Sequence, residues 1–418
     1  MRGLVVCGGL WAASLAAQTY DLLLAGGHVI DPANGINQVM DVAVTGNRIA
    51  RVAENIPRNQ AKQVVDVAGL YVTPGLIDLH AHVFGYSGSL LPDDTQLVAG
   101  TTTVVDCGGS GWRTFDDFRA RIIDKSQTRV LAWLNIVGRG MLGTQVENNT
   151  EDMDVKATAE KILKHRDLIM GIKTAHYSRP GWTALERAVE AGRLADVPVI
   201  VDNNILTGME RTTREKLLDR LRPGDLATHS YNDRQNELLD RHSGKVQEYA
   251  RQARTRGVLF DMGHGAGSFL WPVATQAMRQ GFPPDTISTD LHSSSIMVGE
   301  PDMPNCISKV VNMGMTLQDA VARSTVSPAK AIKRYPELGT LSAGKAADIG
   351  VFTMRQGVFA FKDAWAKKML GRQKLECLVT VRNGRIVFDQ EGLSRPDWKS
   401  SGQGPVASVQ LKKTEVIQ

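Results

Sequence analysis

Short apolar runs separated by glycine and asparagine turns occupy both ends of the chain. The first lies at 21–25 and ends at a pair of glycines, and similar runs return at 348–352 and 379–382. Runs of this length between turn-forming residues predict β-strands. The pattern therefore predicts a small β-sandwich domain that combines residues 19–73 with residues 337–399.

Between these two segments, apolar runs alternate with stretches of helical character. Eight such runs lie at 76–79, 103–106, 131–134, 169–172, 199–201, 226–228, 259–261 and 286–289. Strands that alternate with helices indicate βαβ units and a parallel sheet. We therefore predict an α/β fold in which a (β/α)8 TIM barrel, residues 74–336, is inserted into the β-sandwich domain. The alternative is an open doubly wound sheet, although no glycine-rich G-x-G-x-x-G turn opens a helix here.

The two chain termini differ in composition from the predicted domains. Arg2 precedes an apolar run from 3 to 13, and the small residues Ser14 and Ala16 follow it at the spacing of a cleavage site. This predicts a signal peptide over residues 1–18 and a protein that is periplasmic or secreted. The alternative is a disordered N-terminus on a cytoplasmic protein. Residues 400–418 are polar and predict a loose tail.

The composition and charge of the chain limit the classes of molecule that we expect it to bind. The chain has 418 residues and a net charge of +5, with no run of five or six like charges. A nucleic-acid surface usually shows a basic stripe, which is missing from this sequence. We therefore expect a small-molecule substrate, with no nucleic-acid or membrane partner, and a homo-oligomer stays open. The cysteines form no C-x-x-C pair and are expected to be small buried hydrophobes, at Cys7, Cys107, Cys306 and Cys377.

Polar residues stand at the ends of the predicted barrel strands, where barrel enzymes place their catalytic groups. His80 and His82 end the first strand, and side chains at i and i+2 of a strand share one face. Two imidazoles on one face can bind a single zinc ion. Other histidines at strand ends are His229, His264 and His292, the last next to Asp290 in the eighth strand. The remaining histidines are interpreted as background: His28, His165, His176 and His242.

Lys173 ends the fourth strand, in an apolar setting where a charged amine is costly to bury. Burial is expected to lower its pKa and make the neutral amine a nucleophile. Such an amine could capture carbon dioxide and form a carbamate that bridges two metals. The alternative is a lysine that extends along the barrel rim to solvent.

The motifs now assembled resemble the amidohydrolase superfamily over nearly the whole mature chain. Residues 69–82, which end in His80-Ala81-His82, look like that superfamily's entry into its barrel, and residues 344–349 look like its return to the β-domain. Lys173, His229, the stretch 263–269 and the segment 288–292 are most similar to the deacetylase and dihydroorotase-like metallohydrolases.

This resemblance implies a pair of divalent metals, with zinc expected. It implies that His80, His82 and Asp290 bind one ion, that carbamylated Lys173 bridges to a second, and that His229 binds the second. The family expects a histidine at the end of the fifth strand, where this chain has Asp202 instead. We predict that Asp202 is a ligand of the second metal; the alternative is that it caps the following helix and that Asn203 or Asn204 lines the site.

The resemblance also implies a reaction. The first hypothesis is a metal-dependent hydrolase that cleaves an amide or ester bond of a small acylated acid through a metal-bound hydroxide. In it Asp290 is the general base and then acid, and His264 or His292 stabilises the oxyanion or the substrate carboxylate. The alternatives are a cyclic amidase of the dihydroorotase or hydantoinase kind, and a non-catalytic barrel with a degraded metal site.

Specificity is expected in the loops that follow the strands, because barrel enzymes vary there. Arg139 is a candidate for a substrate-carboxylate clamp, with a surface salt bridge as the alternative. The candidate specificity loops are 85–91, 108–113, 139–145 and 293–304.

Overall fold

The computed structural model describes residues 19–202, 214–232, 238–299 and 301–399. The predicted signal peptide, the polar tail, Asn203 and Asn204 lie outside these residues, so export stays a prediction. Within the described residues, no helix is both long enough and apolar enough to span a membrane.

The described strands and helices follow each other in the order that the sequence pattern predicts. The strands are β1 (Tyr20–Asp31), β2 (Ile36–Thr45), β3 (Arg48–Ala53), β4 (Ala61–Asp66), β5 (Tyr71–Pro74), β6 (Leu76–Ala81), β7 (Thr101–Gly111), β8 (Arg129–Asn135), β9 (Ile169–Thr174), β10 (Val199–Asp202), β11 (Leu226–Thr228), β12 (Leu259–Phe260), β13 (Ile349–Lys362), β14 (Lys368–Arg382) and β15 (Arg385–Asp389). The helices are α1 (Pro92–Thr95), α2 (Phe115–Phe118), α3 (Thr144–Glu147), α4 (Val155–Lys164), α5 (Thr183–Ala195), α6 (Arg214–Arg220), α7 (Glu248–Thr255), α8 (Trp271–Arg279), α9 (Ser293–Gly299), α10 (Met303–Asn312), α11 (Leu317–Ser324) and α12 (Val326–Ala331).

Strands β6 to β12 form one parallel sheet in sequence order. Residues 286–291 complete it as an eighth segment. On one side the Met262 amide donates to the Thr286 carbonyl at 3.0 Å, and on the other the Asp290 amide donates to the His80 carbonyl at 2.6 Å. Because the segment pairs with both edges of the sheet, the carboxyl ends of all eight strands meet at one end of a TIM-barrel-type fold.

A second sheet joins the two ends of the chain. Its strands run in the order β15-β14-β13-β5-β1-β2-β3, and β4 pairs with β1. The N-terminal and C-terminal parts meet where β5 pairs antiparallel with β13. The described strands therefore form a composite β-structure from both chain ends, and its arrangement as a two-layer sandwich stays a prediction.

Both faces of the barrel strands are buried, which explains their continuous apolar character. On β7, the neighbouring Val104 and Val105 point to different apolar clusters and are fully buried. This is the sequence signature of a parallel sheet covered on both sides. Packing on both faces keeps the strand ends rigid, so the side chains at those ends have fixed positions.

One buried carboxylate ties the barrel to the terminal sheet. Asp348, just before β13, accepts hydrogen bonds from Arg129 of β8 at 2.5 Å and from Arg382 of β14 at 3.1 Å. Burial alone would raise the pKa of Asp348, but the two guanidinium groups outweigh it and hold that pKa below its ordinary value. The carboxylate therefore stays ionised and cross-links elements from distant parts of the sequence.

Candidate metal centre and active site

Two histidines and an aspartate converge at the carboxyl end of the barrel. The Nε2 atoms of His80 and His82 lie 3.4 Å and 3.0 Å from Oδ1 of Asp290. All three residues are buried, and their ligand atoms lie within 4.8 Å of one another. Ligands at roughly 2.1 Å from a tetrahedral ion are about 3.4 Å apart, so these spacings suit a bound divalent metal.

The hydrogen bonds around His80 identify its free nitrogen. Its Nδ1 lies 2.8 Å from Oγ1 of Thr228, which donates its own proton to Asp261 at 2.7 Å. The hydroxyl must therefore accept from Nδ1–H, which leaves the lone pair on Nε2 facing Asp290. This Nε2 is buried and has no hydrogen-bond partner among the described residues. Burial and nearby Lys173 also lower the pKa of His80 to about 3, so the ring is neutral, as a metal ligand requires.

His229 is oriented in the same way. Its Nδ1 donates to the carbonyl of Gly263 at 2.7 Å, so in the neutral ring the lone pair is on Nε2. That Nε2 lies 3.9 Å from Oδ2 of Asp202 and 3.9 Å from Oδ2 of Asp290. Asp290 thus presents one oxygen to the His80–His82 pair and the other to His229, as a carboxylate between two metal sites would.

Two glycines allow this close packing. A Cβ on Gly263 would lie 2.3 Å from Oγ1 of Thr228, and a Cβ on Gly265 would lie 2.1 Å from Oδ2 of Asp290. Both glycines also have positive φ. The glycines therefore make room for Thr228 and Asp290 beside the site.

The ionisation expected for Lys173 needs correction. The side chain is buried at the site, as predicted, and burial alone favours the neutral amine. However, Cys107, Asp202 and Asp290 together outweigh burial and raise the pKa of Lys173 above its ordinary value. In the absence of cations the lysine is therefore an ammonium group, and desolvation by itself does not make it nucleophilic. Cations that neutralise the two aspartates would remove this barrier.

Asp290 is ionised in this setting. Burial alone would raise its pKa, but the imidazoles of His80, His82 and His229 outweigh burial and hold it far below its ordinary value. The carboxylate is thus ionised and available as a metal ligand.

Asp202 ends β10, and its side chain is only 3% exposed. It faces His229 as described and also His176, whose Nε2 lies 3.6 Å from its Oδ2. His176 in turn contacts both carboxylate oxygens of the buried Glu147 at 3.2 Å through Nδ1. The hydrogen bond with Glu147 raises the pKa of His176 to about 8.

These groups surround a cavity of about 200 Å³ at the barrel mouth. Tyr86 forms part of its wall and packs on His82 with ring centroids 4.6 Å apart. Its lining residues are His80, His82, Tyr86, Met141, Lys173, His176, Asp202, His229, Ala266, Gly267, Ser268, Asp290 and His292. A larger cavity of about 450 Å³ lies near the starts of β10 to β12, but it contains none of these histidines. The chemistry therefore favours the smaller cavity as the active site.

Two candidates do not line this cavity. The ring of His264 is fully buried and stacks on Phe269, with Nδ1 2.9 Å from the Gly265 carbonyl and Nε2 accepting from Lys309 at 2.7 Å. Both nitrogens are engaged away from the cavity, which argues against an oxyanion or substrate role. Arg139 is exposed and is not among the lining residues, so its role as a carboxylate clamp stays a prediction. His292 does line the cavity, and its Nδ1 has no hydrogen-bond partner among the described residues.

Sequence reasoning did not name His176 or its partner Glu147 as site residues. His176 was taken as background although it stands only three positions after Lys173, in a loop where its φ of 49° is left-handed. His229 and Asp290 share that unusual conformation, with φ of 56° and 49°. Strained backbone of this kind concentrates at functional sites, but it is visible only in a structure. Tyr86 and Met141 fall inside loops 85–91 and 139–145, which the sequence did single out.

Known proteins with established names are similar to this chain in sequence and fold. A family model described as the amidohydrolase family matches residues 271–387. A deacetylase of Enterococcus faecalis is 28% identical over 376 residues, which cover 88% of this chain and 99% of the relative. The structure of an adenine deaminase matches with a TM-score of 0.81 and 27% identity, and that of a dihydroorotase with 0.75 and 25%. Each match covers 88% of this chain and 99% of the other. Residues 271–387 thus match the amidohydrolase family, and the chain is an enzyme similar to proteins named deacetylase and dihydroorotase.

Proposed function

We propose that this enzyme hydrolyses an amide or ester bond in a small acylated acid, with divalent metal at the His80–His82–Asp290 site. The observation that carries the proposal is the pair of buried imidazoles, His80 and His229, whose Nδ1 partners leave the Nε2 lone pairs facing Asp290. A bound cation would polarise the scissile carbonyl and lower the pKa of water, so that the nucleophile forms at neutral pH.

The resemblance suggests which residues would hold the metals, and the cluster of His80, His82 and Asp290 supports the first site. His80, His82 and Asp290 would hold the first ion, and His229 and Asp202 would hold the second. Lys173, as a carbamate, would bridge the two. Zinc suits this set because it accepts imidazole and carboxylate ligands together. These assignments fit the resemblance except at Asp202, where the family expects histidine.

Asp290 would move the proton during the reaction. Its carboxylate lies between His80 and His229, where it would take a proton from the attacking water and deliver it to the leaving nitrogen or oxygen. His292, Tyr86 and Ser268 line the same cavity and would contact the substrate. A cavity of about 200 Å³ restricts the substrate to a small molecule.

We favour the deacetylase reaction because the relative named deacetylase is similar in sequence over 88% of this chain. The second candidate is cyclic-amide hydrolysis, which the match to a dihydroorotase structure favours. These two reactions differ in their products and so can be separated directly.

The test begins with zinc removal and reconstitution. The protein is then assayed on N-acetyl acids, O-acetyl acids and cyclic amides such as dihydroorotate and hydantoins. We expect activity on an acetylated acid that chelation abolishes and zinc restores. Activity confined to cyclic amides would favour the second candidate. A protein that neither contains nor takes up divalent metal would contradict both.

A further inference from the structure

His176 lies between two carboxylates at the edge of the active site. Its Nδ1 is 3.2 Å from both oxygens of Glu147, and its Nε2 is 3.6 Å from Oδ2 of Asp202. Glu147 is 1% exposed and Asp202 is 3% exposed, whereas the His176 side chain is 39% exposed. The row Glu147–His176–Asp202 therefore leads from a buried acid, through an imidazole at the cavity wall, to the second metal site.

Asp202, the last residue of β10, is the side chain that would need such contacts. Asp202 stands where the family resemblance expects a longer histidine, and its Oδ2 is 3.9 Å from Nε2 of His229. The pairs around the first site are closer, at 3.0 Å and 3.4 Å. A short carboxylate at this distance can bind a metal at the second site only if neighbouring residues fix the orientation of its side chain.

His176 lies where it can fix the orientation of the Asp202 side chain. The Asp202 carboxylate contacts His229 and His176 through the same oxygen, so the two rings limit its rotation. Glu147 in turn fixes the imidazole, because Nδ1–H donates to it and leaves Nε2 directed at Asp202. The backbone at His176 is left-handed, with φ of 49°, a conformation that concentrates at functional sites.

We propose that His176 is a positioning residue that holds the Asp202 carboxylate toward His229 and thereby sustains the second metal site. The proposal rests on the proposed function, because it requires a cation at His229 and Asp202. It assigns to this chain a way of keeping a second site without the histidine of the fifth strand. Groups that orient metal ligands in this manner typically change metal affinity by about 10- to 100-fold.

The experiment measures zinc binding and not turnover. Zinc-free wild-type protein and the variant His176→Ala are titrated with zinc against a chromophoric chelator, and the number of imidazole ligands is measured by X-ray absorption at zinc saturation. The exposed His242 supplies a matched control, His242→Ala. We expect His176→Ala to weaken the second zinc by about 10- to 100-fold, with the first zinc and the imidazole count unchanged.

Two further variants test whether Glu147 and Asp202 act together with His176. Glu147→Gln should weaken the second zinc in the same direction, and it reports on the row even if His176→Ala fails to fold. Asp202→His restores a longer ligand, so adding His176→Ala to that background should change the second affinity by less than about threefold.

Each contrary result has a distinct meaning. Unchanged second-site affinity in both His176→Ala and Glu147→Gln would overturn the proposal. A drop of one imidazole in His176→Ala would also overturn it, because His176 would then be a ligand itself. A wild-type protein that binds one zinc would remove the second site and this proposal together, while leaving the proposed function standing. Failure of the wild type to bind any zinc would refute the proposed function itself.

Discussion

The hydroxyl of Thr228 orients a metal ligand, and its removal offers a direct test of the first metal site. Thr228→Val keeps the size of the side chain but removes the group that accepts from Nδ1 of His80 and donates to Asp261. Both hydrogen bonds are buried, and Thr228 is not exposed at all. The His80 ring would lose the contact that fixes its tautomer and its direction.

The expected size of the effect follows from the geometry. Loss of a contact that orients a metal ligand weakens metal affinity by about 10- to 100-fold, or about 1.4 to 2.7 kcal/mol. Oδ2 of Asp261 lies 3.7 Å from the same nitrogen, beyond hydrogen-bond reach but close enough to attract it. This residual attraction places the expected loss nearer tenfold.

Thr286→Val is the matched control. Thr286 donates to the other oxygen of Asp261 at 2.7 Å and is equally buried. Each variant should lose about 1–3 kcal/mol of stability, because each leaves a buried carboxylate oxygen short of a donor. Only Thr228→Val should weaken zinc binding, measured by chelator competition at a temperature where both variants are folded. Equal zinc affinity in the two variants would refute the role given to Thr228.

Three further outcomes are expected. Asp290→Asn should retain its fold by circular dichroism and lose about 100- to 10,000-fold in turnover, since it cannot accept the proton; near-normal turnover would mean that Asp290 has another role. Asp348→Asn should cost about 3 kcal/mol in urea unfolding at pH 7, because it leaves Arg129 and Arg382 without their buried anion. The folded pKa of Asp348 is depressed below its ordinary value of 3.8, so its stabilisation is present above that value and is lost as pH falls through the folded pKa. The wild type should therefore lose more stability than the variant between pH 5 and pH 2, and parallel curves would contradict the ion pair. Mass spectrometry of natively expressed protein should show residues 1–18 removed, and an intact Met1 would contradict export.

Much of the barrel could be predicted because its signal is local. Each of the eight predicted runs overlaps a described strand or the segment 286–291, since a parallel strand covered on both faces must be apolar along its length. Polar side chains at the ends of such runs stand out, and for this reason His80, His82, Lys173, His229 and Asp290 could be named in advance. Their convergence follows from barrel topology alone.

The sequence could not decide which polar residues face the cavity. His264 stands at a strand end like His229, yet its ring turns into the protein and meets Lys309 of α10, 45 residues further along the chain. His176 lies beyond a strand end and nevertheless lines the cavity, because a left-handed backbone turns it toward Asp202. Side-chain direction in loops depends on contacts with distant residues, which no local pattern encodes.

Ionisation was also beyond the reach of the sequence. An apolar strand around Lys173 predicts a lowered pKa, but Asp202 and Asp290 come from other strands and reverse the direction. The alternation of continuous apolar runs with helical stretches thus determined the barrel and the strand ends that carry its chemistry. The tertiary structure decided which of those residues meet and in what charge state, because electrostatic interactions depend on distances in space between residues far apart in the chain.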